Sequence, residues 1–189
     1  YWAEPILPSE GAAIEAPGSA ATASQNNQPL EPVALTARPG GGVYMAYCSA
    51  SASQQCAHIN LWKVGSPKAQ VVPGSTDSTN TRVALAVGTA GRMSVVWYDG
   101  SKNVIHAVRT NTSVTRFGAL RTIKAPRNTF EVHGIAADGT FGRLDIVLTV
   151  QPSTNGAPVE LFHTQSLAGL SLSAKPVKFS HKKATKVTF

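Results

Sequence analysis

Between Arg82 and Arg109 the chain alternates short apolar runs with turn residues. Val83 to Val87 is the first run, and Thr89-Ala90-Gly91 interrupts it. Met93 to Trp97 is the second, followed by Asp99-Gly100, and Val104 to Val108 is the third. β-Branched and aromatic residues in runs this short, bounded by Gly and Asp, predict strands; Asp-Gly between two runs predicts a tight hairpin with positive φ. The stretch therefore reads as a three-stranded antiparallel meander.

The same pattern stands on both sides at a spacing of roughly fifty residues, which calls for a repeat architecture. Upstream, Val33-Ala34-Leu35, Gly41, Val43, Met45 and Tyr47 match Val83-Ala84-Leu85, Gly91, Met93, Val95 and Trp97. Downstream, Gly142 to Leu148 matches Gly91 to Trp97, with Val132 to Ala137 placed before it as Val83 to Gly88 is before Gly91. A weaker fourth strand is expected at the end of each unit, at Ala69–Val72, Leu120–Lys124 and Pro176–Phe179. Four short strands per repeat predict an all-β chain of about three four-stranded antiparallel propeller-type blades. Three blades are too few to close a ring, so an incomplete or partner-completed propeller is expected.

The expected organisation is an extended N-terminal segment over 1–30, with Tyr1 to Leu7 as the last strand of an earlier blade. Blades follow over 31–76, 77–126 and 127–180. Residues 181–189 read as a linker or the start of a following module, because KKATKVTF ends in mid-alternation. Both ends look cut, which suggests a fragment of a larger protein.

Composition narrows the class. Charged residues make up 14% of the 189 and apolar residues 42%, so the surface must be covered largely by small polar side chains. This balance fits a secreted or cell-surface β-protein, and no apolar run is long enough to span a membrane. The net charge is +7. It comes largely from Lys175, Lys178, Lys182, Lys183 and Lys186, without which twelve bases face ten acids. The tail reads either as a contact for a polyanion or as a lysine-guarded linker or strand edge. Nucleic acid is not expected as a partner.

Cys48 and Cys56 flank SASASQQ between two expected strands. Cysteines at the neck of a hairpin suit a disulfide, and an even count in such a chain suits an oxidising compartment. The alternative is a pair of reduced core thiols. His58 stands close by, but two Cys and one His lack a fourth zinc ligand. No metal or cofactor is expected.

Candidate chemistry is sparse. Glycoside hydrolysis needs two carboxyl groups flanking a bond, and Asp99, Glu131, Asp138, Asp145 and Glu160 are the candidates within the units. Asp99 and Asp138 precede Gly and are explained as turn residues; the others sit at or along strands. His106 and His163 occupy what reads as one repeat position, which suggests structure. His133 falls in an innermost strand, matched to Ala34 and Ala84, and is a candidate ligand-binding residue. Tyr47, Trp97 and Leu148 share a position expected in the core, whereas Tyr44, Tyr98 and Trp62 could form a sugar-stacking surface. Arginines are scattered, and a carboxylate clamp would need several converging from different blades. Asn111-Thr112-Ser113 fits the N-glycosylation pattern. No nucleophile motif, phosphate-cradling loop or dinucleotide fingerprint is present; Gly40 to Gly42 reads as a hairpin turn.

The segment GRMSVVWYDGSKNVIHAVRT resembles blades of sialidase-like (BNR-type) β-propellers, and the likeness runs over roughly residues 31–180. WYDGSKNV keeps the Asp and Gly of that family's Asp-box and lacks the rest, and neither its arginine triad nor its Tyr/Glu pair can be assigned here. SAKPVKFSHKKATKVTF resembles the junction between a secreted propeller and an immunoglobulin-like module, an arrangement found in multi-module proteins of bacterial surfaces. The resulting expectation is a secreted binding or scaffolding module for a glycan or protein ligand, with no catalytic residue assigned. The alternatives are one part of a sialidase-like glycoside hydrolase, and a structural fragment that pairs with another chain.

Overall fold

The computed structural model describes residues 14–19, 33–49, 56–76, 80–126, 129–152 and 156–167. The fold is all-β. The first blade contains β1 (Val33–Ala37), β2 (Val43–Cys48), β3 (Ile59–Lys63) and β4 (Gln70–Val71). The second contains β5 (Asn80–Val87), β6 (Met93–Asp99), β7 (Val104–Arg109) and β8 (Arg121–Lys124). The third contains β9 (Thr129–Asp138), β10 (Arg143–Pro152) and β11 (Glu160–Leu167). Each sheet is an antiparallel meander in chain order. The expected strands at Pro176–Phe179 and Tyr1–Leu7 lie outside the described residues, as do the lysine-rich tail and the 181–189 segment.

The first strands of successive blades pack side by side, β1 against β5 and β5 against β9, and Gly88 and Gly139 join the latter two through a parallel bridge. This is propeller-type packing, with β1, β5 and β9 innermost; among the described residues no further sheet flanks blade 1 or blade 3.

Blade 2 is buried on both faces because both parities of its strands are apolar. All seven residues of β6 are buried. Met93, Val95 and Trp97 join Tyr44, Ala46, Ile59 and Leu61 of blade 1 in one core. Val96 and Tyr98 join Ile146, Leu148 and Val150 of blade 3 in another. β1 and most of β10 instead alternate, as half-covered strands do, whereas Ile59 to Trp62 of β3 are all buried. On blade 1, Ala16 packs over Tyr47 and Trp62, while Val33 and Leu35 stay exposed on β1.

Two turns depart from simple expectation. Asp99-Gly100 does not form a two-residue hairpin with positive φ at Gly100. The loop holds four residues, and Asn103 takes the left-handed conformation at φ 49°. Asp99 Oδ1 accepts from the Ser101 amide at 3.0 Å and the Lys102 amide at 3.3 Å, which makes the longer turn. In the β5–β6 connection Ala90 as well as Gly91 has positive φ, so that turn does not depend on glycine alone.

The repeat register is also corrected. Trp97 pairs with His106, but Leu148 pairs with Phe162. Phe162, not His163, therefore occupies the His106 position. The intervening loop differs in length by an odd number of residues, and a one-residue offset in a strand reverses the face. Likewise Ala84 pairs with Val96 and Ala136 with Val147, so Ala136 is the counterpart of Ala84. His133 falls in the bulge between Val132 and Gly134, where β5 has Thr81 between Asn80 and Arg82.

Candidate functional site

The sequence-level candidates do not gather into one place. The Cys48–Cys56 disulfide closes the β2–β3 neck with Cα atoms 5.0 Å apart, and the Ser49 amide donates to the His58 carbonyl at 2.8 Å beneath it. The two cysteines are therefore not reduced thiols. Tyr44, Tyr98 and Trp62 are each about 95% buried or more and belong to three separate cores. They form no shared stacking surface, because strands with two buried faces draw large aromatic rings inward. Tyr98 keeps its hydroxyl on Asn103 Oδ1 at 3.0 Å; burial, and then the Asp99 charge, raise its pKa. Trp62 Nε1 donates to the Ser66 carbonyl at 2.7 Å.

His133 is partly exposed on β9. Its Nε2 donates to Gln151 Oε1 at 3.2 Å, and its Nδ1 lies 4.0 Å from Glu131 Oε1. Arg82 Nε donates to the His133 carbonyl at 3.0 Å and so ties blade 2 to blade 3. The group offers a half-exposed imidazole beside a carboxylate at one end of the innermost strands.

The acids have structural work. Asp99 is buried, with Lys102 Nζ 3.0 Å and His106 Nε2 3.5 Å from Oδ2, and with the Ser101 hydroxyl and two amides on Oδ1. His106 Nδ1 meets Thr122 Oγ1 at 3.1 Å, and its ring lies 5.3 Å from that of Trp97. This Asp–His–Thr string lies under the blade surface and braces the β6–β7 turn. Asp138 and Asp145 are direct cross-strand partners. They stand side by side on one face of blade 3, and neither lines the inter-blade cleft between blades 2 and 3. Asp138 accepts from Thr140 Oγ1 at 2.7 Å. Asp145 accepts from Arg143 Nε at 2.7 Å and from His163 Nε2 and Gln165 Nε2 at 2.9 Å. The Gln165 bond, then those of His163 and Arg143, hold the Asp145 carboxyl below the ordinary carboxylate range. Among the described residues no three His, Cys, Asp or Glu side chains are grouped to hold a metal ion.

At the opposite end of the blades lies a feature the sequence does not display. A small cleft of about 70 Å³ opens between blades 2 and 3, with Arg109, Arg121, Arg143 and Ser166 on its walls and Gly88 and Gly139 also lining it. Arg109 ends β7, Arg121 starts β8 and Arg143 starts β10, so antiparallel pairing brings all three to the same end. Arg143 is neutralised by Asp145 and Arg121 Nη1 donates to Ser166 Oγ at 3.1 Å. Arg109 is partly desolvated and lies in the fields of Arg92 and Arg121, and burial followed by those two charges lowers its pKa. A guanidinium keeps its proton throughout the physiological range, so the shift records crowded positive charge. A second groove of about 430 Å³ lies between β8 and β11, lined by Ala125, Pro126, Phe162 and Thr164 over the buried Ile105 and Leu148, with Lys124 at its edge. Arginine spacing could have hinted at this cleft only with the strand register in hand.

No family model and no curated protein matches the chain. Among solved structures it is similar to an α-L-arabinofuranosidase from Clostridium thermocellum, at 13% sequence identity with a TM-score of 0.46; the match covers 72% of this chain and 48% of that one. The chain thus spans about half the length of that solved protein.

Proposed function

We propose that this chain is a secreted β-propeller-type binding or scaffolding module whose ligand is a glycan or a protein. The observation that carries this reading is the contrast between its acids and its bases. Of the described carboxylates, Asp99, Asp138 and Asp145 are held in turn and sheet-face networks and Glu131 and Glu160 are exposed on β9 and β11, while none of them lines the inter-blade cleft, which is walled by arginines. Acid–base hydrolysis of a glycosidic bond needs two carboxyl groups facing one another across a substrate; binding needs only a shaped, charged recess. The disulfide supports an oxidising compartment, and among the described residues no helix is long and apolar enough to cross a membrane. A sialidase-like hydrolase would require the His133–Glu131 group to meet an arginine set and a second carboxylate.

Incubating the chain with a panel of neutral and acidic polysaccharides, and measuring both retention and reducing-end release, tests the reading. Retention without release is expected. Release that disappears in Asp145→Asn or Glu131→Gln would overturn it in favour of a hydrolase.

A second reading is favoured by the outward face of blade 1. Among the described residues Val33 and Leu35 are more than 60% exposed there beside Met45, and an exposed apolar patch on a sheet face invites a partner. In this reading a second chain continues the array, and light scattering across a concentration series reports a mass above that of the monomer. A mass equal to one chain at every concentration would remove it.

A further inference from the structure

We infer that the seam between β8 and β11 binds an acidic polysaccharide, with Arg109 as the principal contact to a carboxylate or sulfate group. The inference rests on the glycan form of the proposed function and goes further by fixing the place and the charge of the ligand. Three independent features converge on the seam. The first is charge: Arg109 and Arg121 wall the cleft and Arg92 stands near it, and among the described residues neither Arg92 nor Arg109 has a carboxylate within ion-pair distance. Clustered guanidiniums repel one another, and a bound oxyanion removes that cost while accepting paired N–H donors.

The second is access. Gly88 and Gly139 carry no Cβ, and the Arg109 Nη2 atom lies 3.0 Å from where a Gly88 Cβ would stand. The guanidinium therefore rests over bare backbone, with the hydroxyl-bearing Ser94 and Ser166 also on the cleft walls.

The third is continuity. A groove whose accessible apolar wall is Ala125, Pro126 and Phe162, over the buried Ile105 and Leu148, lies along the same pair of blades. A sugar acid presents both an oxyanion and an apolar C–H ring face, which suits a basic cleft next to an apolar groove. An acidic peptide would meet the arginines equally well but supplies no ring face for the groove.

The test measures the affinity of the full chain for polygalacturonate (carboxylate), chondroitin sulfate (sulfate), dextran (neutral) and poly-glutamate (acidic peptide) at two salt concentrations. Arg109→Gln and Arg92→Gln are compared with Arg116→Gln, an exposed arginine outside the cleft that carries the same charge change. The tail lysines are present in every variant, so the contrast isolates the cleft. At least one acidic polysaccharide should bind in a salt-sensitive manner, with affinity about tenfold weaker in Arg109→Gln, several-fold weaker in Arg92→Gln and within twofold of the parent in Arg116→Gln. Arg92 lies on the surface, so its variant keeps the test intact if Arg109→Gln folds poorly. Equal losses in all three variants, tighter binding of poly-glutamate than of either polysaccharide, or no binding of any polyanion would overturn the inference. Binding of dextran unaffected by these substitutions would leave the glycan module standing and remove only the acidic site.

Discussion

Gly88 and Gly139 meet as a parallel β-bridge at the seam between the second and third blades. A Cβ on Gly139 would lie 3.0 Å from the Gly88 nitrogen and from the Val87 carbonyl carbon and oxygen. All three are backbone atoms, so the contact has no flexible side chain to give way. Gly139→Ala should therefore cost about 1–3 kcal/mol, the range for overpacking. Gly134→Ala in the same strand meets only the Thr149 side chain, at 3.5 Å, and should be near neutral. Chemical denaturation of both variants checks the contrast, and equal effects would show that the bridge is not tight.

Trp97 stands at the centre of the blade 1–blade 2 core, fully buried, and its indole Nε1 is the buried side-chain polar atom without a hydrogen-bond partner among the described residues. Trp97→Ala should lose about 3–5 kcal/mol. Trp97→Phe keeps the ring contact while deleting an unsatisfied donor, which offsets part of the lost volume. Its loss should be less than half that of Trp97→Ala by urea denaturation. Similar losses would mean that the indole nitrogen has a partner in solution.

Much of the architecture was legible because its turns and apolar runs are local. Val83–Val87, Met93–Trp97 and Val104–Val108 fall within β5, β6 and β7, since Gly91 and the Asp99–Asn103 loop punctuate them. The burial of all seven residues of β6 could not be read from MSVVWYD, because nothing local marks Ser94, Tyr98 and Asp99 as buried. Nor could the register of blade 3, because the bulge at His133 and the longer β10–β11 loop shift residues by one without changing composition. Tyr44, Tyr98 and Trp62 were misplaced for a related reason: a strand with two buried faces offers no parity from which exposure can be read. The arginine cleft depends on three strand ends brought together from two blades, which no local pattern records.

Asp145 makes stability at low pH depend on one sheet-face network. Its folded pKa lies below the ordinary value because Gln165, His163 and Arg143 bind the ionised form. A depressed carboxyl contributes stability that is fully present above its unfolded pKa and is lost as pH falls through the lower folded value. The advantage of the parent chain over Asp145→Asn should therefore be constant near pH 6 and shrink below about pH 4. Denaturation midpoints of both proteins between pH 6 and pH 2 give the comparison. A gap that widens on acidification would contradict this assignment.

The Cys48–Cys56 bridge closes a loop across a sequence separation of 8. Loop-closure entropy for so short a ring is about 2.5 kcal/mol. The Cys48→Ala/Cys56→Ala pair should lower stability by about that amount while leaving the β6–β7 core intact, as judged by Trp97 fluorescence. A loss of folding altogether would mean that blade 1 depends on the bridge for more than loop closure.

The arrangement on which the rest depends is that blade 2 is the middle blade, covered by blade 1 on one face and blade 3 on the other. Amide hydrogen exchange tests it most directly, because a strand buried on both faces opens only with global unfolding, whereas half-covered outer strands open locally. The β6 amides Val95 to Tyr98 should exchange slowest and share one opening free energy equal to the global value. The amides of β1 and β11 should exchange faster. Protection in β1 or β11 equal to that in β6, or a β6 that opens before its neighbours, would contradict the stacked-blade account.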